Sequence, residues 1–480
     1  MPETKSGQRF VARLKEAWRG LSSGARAVVG GAPKGANPDL ADSDLPGLRA
    51  RLADCLEGRG GEASARARAA ELGRLYLGLS VAGRKRFMRL LAEEIDIDRA
   101  AAIGAAKAAI AAWEGGDAKA VGKAERGLRR ALDSPRGRLL AQFTALADGV
   151  KFLIDRRSEL MEWSKEDPLF AALAEDLREL FVAWFDLGFL ELERITWESP
   201  AALLERLAAY EAVHAVRDWA DLKNRLDSDR RYFAFFHPRM PLEPLIFVEV
   251  ALVNGLADNV HDLLDDKAPL GDPHAADTAI FYSITNAQRG LAGISFGGFL
   301  IKRVAGTLSA EFPNLKTFAT LSPIPGFRSW LDARIAEGMP RLLLAGERKV
   351  LAAALARREG KAVAASKGEI KRALASGAWL SEPALADALK APLSRLCARY
   401  LLEAKRADGR ALDPVAHFHL SNGARIERVN WRADTSANGL RQSAGLMVNY
   451  LYRLADIEAN HEAYAADGTV AASSAVRSLL

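Results

Sequence analysis

The chain of 480 residues is 49% hydrophobic and 27% charged, the balance of an ordinary globular protein with room for two or three domains and a large core. A formal net charge of +6 is mild for this length. With no Lys/Arg block interleaved with aromatics, the chain gives a nucleic-acid partner little support and none is expected, while the charge leaves room for a small anion such as a phosphate. No run approaches the ~18 apolar residues of a membrane span, and no apolar stretch follows the first basic residues, so neither a span nor a secretory signal is expected.

Residues 1–30 place Phe10, Leu14, Trp18 and Leu21 at helical spacing with basic residues between them. Glu3 and Glu16 set this stretch apart from acid-poor transit peptides, so a surface helix is expected. Residues 30–46 are rich in Gly, Pro and Asp and read as a loop. From about 47 to 190 the chain reads as all-helical: in 71-ELGRLYLGLSVAGRKRFMRLLAEEID-96 apolar residues recur three and four apart, and 100–112 is alanine-rich. Nothing in this region has catalytic spacing, and a helical bundle for interaction or oligomerisation is expected. Cys55 and Cys397 sit in helix-like apolar patterns without a CxxC neighbour, so they read as small buried hydrophobes in a reducing compartment.

Beyond 190 strand signals begin: 231-RYFAFFHP-238, 244-PLIFVEVALV-253 and 278-TAIFYSITN-286, each bounded by Pro, Gly, Asn or Asp. A Gly-rich turn and a helix over 297–312 follow, with Ile301, Val304 and Leu308 marking the buried face. A further strand ends at 317-TFATLS-322. Residues 328–410 revert to helix as an insertion, and strand texture returns over 414–431. The second half thus reads as α+β.

Three features carry chemistry. The glycines at 290, 293, 297 and 298 lie between a strand and a helix, where backbone N–H groups make an anion cradle. A tight turn explains them equally well, and neither a Walker loop nor a GxGxxG fingerprint is present. Ser322 closes an apolar run and is followed by Pro323, which has no N–H, so the oxyanion donor used by hydrolase serines is missing. Proline holds Ser322 extended and leaves its hydroxyl at a strand end, suited to a fixed hydrogen bond or to capping a turn. Among the histidines only His417 and His419 are close together. Read as strand residues they share one face, but no third ligand accompanies them. A metal site is therefore not expected, and a single histidine near its ordinary pKa suits proton transfer.

Together 193-ERITW-197, 211-EAVHAVRDW-219, 242-LEPLIFVEVAL-252, 279-AIFYSI-284, 299-FLIKRV-304, 321-LSPIPGF-327, 413-DPVAHFHLSNGA-424, 430-NW-431 and 445-GLMVNYLY-452 resemble the malonyl-CoA decarboxylase family. The resemblance implies a helical domain over 1–190, able to mediate a homo-oligomer. It implies a GNAT-like α+β catalytic domain over 191–480 with a helical insertion. It also implies conversion of malonyl-CoA to acetyl-CoA and CO2 without metal or organic cofactor, coenzyme A being part of the substrate.

The family's CoA loop falls on Ala292, Gly293, Ile294, Ser295, Phe296 and Gly297, with Gly298 beside it. Ala292 stands where Gln or Arg is usual and Ser295 where glycine is usual, so backbone amides rather than side chains are expected to hold the pyrophosphate. The catalytic serine and histidine fall on Ser322 and His419, with His417 as a neighbour and Tyr452 as a motif tyrosine near the site. In the expected mechanism His419 protonates the enolate carbon and Ser322 orients His419 or the malonyl carboxylate. The alternatives are a CoA-dependent GNAT-type acyltransferase and a non-catalytic scaffold. The Ser-Leu-Leu ending differs from the peroxisomal address, and a cytoplasmic location without membrane association is expected.

Overall fold

The structure, a computed structural model, describes residues 37–57, 61–227, 229–294, 297–360, 369–375 and 377–480. The helix expected from Phe10 to Leu21 lies outside these residues, as do Ser295 and Phe296.

The helical reading of 47–190 holds. The helices are α1 (Leu45–Leu56), α2 (Glu62–Gly78), α3 (Val81–Glu94), α4 (Arg99–Glu114), α5 (Ala118–Leu132), α6 (Pro135–Gln142), α7 (Gly149–Trp163) and α8 (Leu169–Trp184). The long apolar repeat over 71–96 is broken at Ser80, whose Oγ accepts from the Gly83 N–H and caps α3. Tyr76, Phe87 and Phe152 meet edge to face and knit α2 and α3 onto α7. By contrast α4 and α5 pack chiefly on each other, leaving Ile103, Ile110 and Trp113 exposed. Cys55 and Cys397 are buried free thiols, as their apolar settings predict.

A mixed sheet follows, with strand order β1-β2-β3-β4-β5-β8-β6 and β7 paired to β8. The strands are β1 (Glu191–Ile195), β2 (Arg230–Phe236), β3 (Ile246–Val253), β4 (Thr278–Asn286), β5 (Thr317–Thr320), β6 (Ser322–Pro323), β7 (Arg425–Asn430) and β8 (Met447–Leu451). The near-continuous apolar runs of β2 and β3 match their burial on both faces. On one face α9 (Ala201–Tyr210) and α10 (Trp219–Asn224) cover Tyr232, Ala234, Phe236 and Phe247. On the other, α11 (Gly297–Glu311) buries Ile301, Val304 and Leu308, the face expected, in an apolar core continuous with that of the helical half.

The β4–β5 pair is parallel, and α11 is the crossover that such a pair requires. Pairing runs from Thr278 opposite Thr317 to Phe281 opposite Thr320 and then stops. In β4 the register with β3 skips Tyr282, a bulge that bends the strand as it continues to Asn286. After Thr320 the chain instead places Ser322 opposite Val448 of β8. The two parallel strands therefore part at their C-terminal ends, the edge where ligands enter sheets of this kind.

The expected helical insertion consists of α12 (Phe327–Ala336), α13 (Ala345–Glu359), α14 (Glu369–Leu374) and α15 (Pro383–Glu403). One expectation fails. Residues 414–421 form a helix, α16 (Pro414–Ser421), and strand structure resumes only at β7. Proline at the first helical position and Asp413 at the N-cap outweigh the β-prone His and Phe side chains. Later in the chain comes α17 (Ile457–Asp467). Among the described residues no helix is long and apolar enough to cross a membrane.

Candidate active site

Ser322 is buried where the parallel pair parts, anchored by the Leu321 N–H, which donates to the Phe281 carbonyl at 3.1 Å. The Pro-Ile-Pro-Gly exit turns the chain so that the Gly326 N–H donates to Asp413 Oδ2 at 3.2 Å. The same carboxylate accepts from the Val415 and Ala416 N–H groups, 3.0 and 2.9 Å away, and from the Tyr400 hydroxyl at 3.3 Å. Asp413 thus ties the turn after Ser322 to the start of the helix that carries His419. Burial raises its pKa above the ordinary carboxylate value, against the pull of the amides it accepts from. Asp413 lies in one of the motifs that carry the family resemblance, without a role assigned from sequence; an Asp-Pro pair opening a helix is the signal that finds it.

His419 is 3% exposed. Its Nε2 lies 3.1 Å from Ser322 Oγ and its Nδ1 2.7 Å from the Tyr452 hydroxyl. The ring stacks on Tyr450, with centroids 4.4 Å apart and planes 25° from parallel. This setting overturns the expectation of a histidine near its ordinary pKa: burial pushes the imidazole down to about 3, so it is neutral at neutral pH. Burial also raises the Tyr452 phenol well above its usual value, so it stays protonated. Ser322 Oγ donates to Thr320 Oγ1 at 2.8 Å. With its only proton assigned there, Ser322 accepts from His419 Nε2–H, and Nδ1 accepts from Tyr452. The donors then run in one direction, Tyr452 to His419 to Ser322 to Thr320. Thr320 Oγ1 is held in turn by the Tyr450 N–H at 3.1 Å.

His417 does not join His419. Residues two apart on a helix point to widely separated faces, and His417 Nδ1 meets the Tyr464 hydroxyl of α17 at 2.9 Å. The shared face expected for this pair belonged to the strand that did not form.

The glycine segment leaves the C-terminal end of β4, the same edge of the parallel pair as Ser322. The Ile294 N–H donates to the Leu291 carbonyl at 3.1 Å, with Ala292 at φ −57° and ψ 135° and Gly293 at φ 81°. This is a type II turn, whose third position demands the left-handed backbone that glycine supplies. Gly297 and Gly298 open α11. A Cβ at Gly290 would lie 1.9 Å from the Ile154 carbonyl oxygen, so the segment sits flush against α7.

A cavity of about 640 Å³ lies at the other end of β5, lined by Lys316, Phe318, Tyr452 and Arg453 among others. Ser322 and His419 are not among its lining residues; it adjoins the pair only through Tyr452, whose hydroxyl meets His419 Nδ1.

The family described as malonyl-CoA decarboxylase C-terminal domain matches residues 188–480, and the malonyl-CoA decarboxylase N-terminal domain matches 101–185. The mitochondrial malonyl-CoA decarboxylase of Anser anser anser is 37% identical over 423 residues, 86% of this chain and 83% of that protein. Its counterpart from Rattus norvegicus is 39% identical over 370 residues, 75% of this chain and 73% of that protein. The crystal structure of malonyl-CoA decarboxylase from Rhodopseudomonas palustris superposes with a TM-score of 0.80 at 42% identity, covering 90% of this chain and 99% of that one. The enzyme from Agrobacterium vitis gives 0.80 at 39% identity, with coverage of 90% and 99%.

Proposed function

The chain belongs to the malonyl-CoA decarboxylase family and is a carboxy-lyase that releases CO2 from malonyl-CoA; from that premise we propose that Ser322 and His419 carry the reaction. The observation behind this reading is the 3.1 Å contact between Ser322 Oγ and His419 Nε2, buried where the parallel strands part.

Loss of CO2 from the malonyl thioester leaves the enolate of acetyl-CoA, which must gain one proton at carbon. A malonyl carboxylate entering beside Ser322 exchanges water for the aromatic surroundings of Tyr450, Tyr452 and Phe418, which favours departure as neutral CO2. The same carboxylate brings a negative charge close to the buried imidazole. It raises the proton affinity of His419, so a proton is taken up with the substrate. His419 Nε2 delivers that proton to the enolate carbon as CO2 leaves, while Ser322 holds the imidazole and Tyr452 fixes its far nitrogen. Atoms and charge balance: malonyl-CoA and one proton give acetyl-CoA and CO2. The route asks for no metal or organic cofactor.

The segment 292–298, carried over as the CoA loop, is proposed to meet the CoA pyrophosphate through backbone N–H groups. The Ala292 and Ile294 amides are held within the turn by the Arg289 and Leu291 carbonyls, so the turn contributes the Gly293 N–H, ahead of the α11 N-terminus opened by Gly297 and Gly298. The helical region over 1–190, with its exposed Ile103, Ile110 and Trp113, is the part proposed to meet a second copy of the chain in a homo-oligomer.

The test is turnover of malonyl-CoA by Ser322→Ala and His419→Ala. Each is expected to lower kcat by roughly 10²–10⁴, the usual loss with a general acid or its partner, while CoA still binds. Near-wild-type turnover in either variant removes that residue from the mechanism.

A further inference from the structure

Arg157 stands on α7, in the helical half of the chain, yet its guanidinium reaches the glycine segment that follows β4. Nη1 donates to the Gly290 and Ala292 carbonyls at 2.6 and 2.8 Å, and Nε donates to the Ala174 carbonyl at 3.0 Å. The residue is 5% exposed. Glu175, the carboxylate that favours its charge, is itself paired with Arg178 at 2.7 Å. Burial therefore pulls the Arg157 pKa below the usual arginine value, although a guanidinium keeps its proton. A buried cation satisfied mainly by carbonyls is costly, and such a charge is stabilised when an anion arrives nearby.

The geometry of the turn says which anion gains. The peptide between Ala292 and Gly293 is the central peptide of the type II turn, and in a trans peptide the C=O and N–H point in opposite directions. Arg157 draws the Ala292 carbonyl toward α7, so the Gly293 N–H faces away from α7. Among the described residues nothing accepts from that N–H. The close seat of Gly290 on Ile154 keeps the segment from sliding.

We propose that Arg157 is a positioning residue for the pyrophosphate of coenzyme A. It aims the Gly293 amide outward and sets a buried positive charge behind the peptide that presents it. The helical half of the chain is on this account part of the substrate site. The inference rests on the reading of 292–298 as the CoA loop.

The experiment compares malonyl-CoA with malonyl-pantetheine, which carries the same acyl tip and no pyrophosphate, on the full-length wild type, Arg157→Met, Arg157→Lys and Gly293→Val. Arg157→Met is expected to raise the KM for malonyl-CoA by about 10–100-fold, the range for a lost charge-assisted bond, with kcat nearly unchanged. Its kcat/KM for malonyl-pantetheine should stay within about twofold of wild type, because an interaction with a missing group cannot be lost. Arg157→Lys keeps the charge but reaches fewer carbonyls and should fall between the two. It carries the test alone if Arg157→Met does not fold. Proportional losses on both substrates would reduce Arg157 to a structural role and overturn the proposal. If Gly293→Val abolishes the preference for the CoA form and the Arg157 variants do not, the Arg157 inference fails while the loop reading stands. If none of the variants changes that preference, the loop reading fails first.

Discussion

Burial of His419 makes the fold acid-sensitive in a way that can be measured. Its pKa falls from 6.5 to about 3 in the folded chain, with burial as the cause. Between those values the unfolded chain binds a proton that the folded chain refuses. Stability therefore rises with pH across this window and is lost as pH falls. At about pH 4.5, some two pH units below the unfolded value, the loss is about 2.7 kcal/mol at ~1.36 kcal/mol per unit. At about pH 7.5 it is close to zero, because neither state is protonated. His419→Gln removes the titration while keeping an amide that can accept from Tyr452 and donate to Ser322. Equilibrium urea denaturation at the two pH values should show wild type losing about 2–3 kcal/mol more than His419→Gln on acidification. Equal losses in the two proteins would refute the conclusion that the imidazole is desolvated and neutral in the fold.

Two further outcomes follow from buried polar groups. Asp413→Ala removes the acceptor shared by Gly326 and the start of α16; it should cost about 1–3 kcal/mol in denaturation and lower kcat by at least about tenfold as Ser322 and His419 drift apart. Asp413→Asn, which keeps a capping oxygen, should recover most of both, and an Asp413→Ala enzyme with normal kcat would show that the pair is positioned without it. Arg225 lies buried between Asp221 and Glu249, 3.1 and 3.3 Å away. Arg225→Met strands the Asp221 charge in the core and should destabilise the chain by about 3–5 kcal/mol in thermal or urea denaturation, whereas a loss below about 1 kcal/mol would mean that water reaches the cluster.

Much of the architecture was written in short-range signals. Alternating and continuous apolar runs located β2, β3 and β4, the glycines and the 3.6-residue spacing located α11, and leucine-rich periodicity located α1 to α8 and the insertion. Motif residues singled out Ser322 and His419, and Gly293 declared its turn because only glycine takes that backbone without strain. These signals are legible because propensity, capping and turn geometry act between residues a few positions apart. Even so, α16 departs from its local pattern: its β-prone side chains suggest a strand, and the Asp413–Pro414 cap beside them makes a helix.

The rest was decided when distant segments met. Ser322 and His419 are 97 positions apart, and their contact exists because β8 and the Asp413 carboxylate bring the two segments together. The proton affinity of His419 was set by which aromatic rings surround it, since desolvation is a property of packing and not of the residue. The reach of Arg157 to a loop 133 positions onward has no trace in local pattern, because an arginine on a helix reads as solvated until a fold buries it. Local order determined most of the elements and the candidate side chains by itself; tertiary packing alone selected the partners and, by excluding water, the charge states.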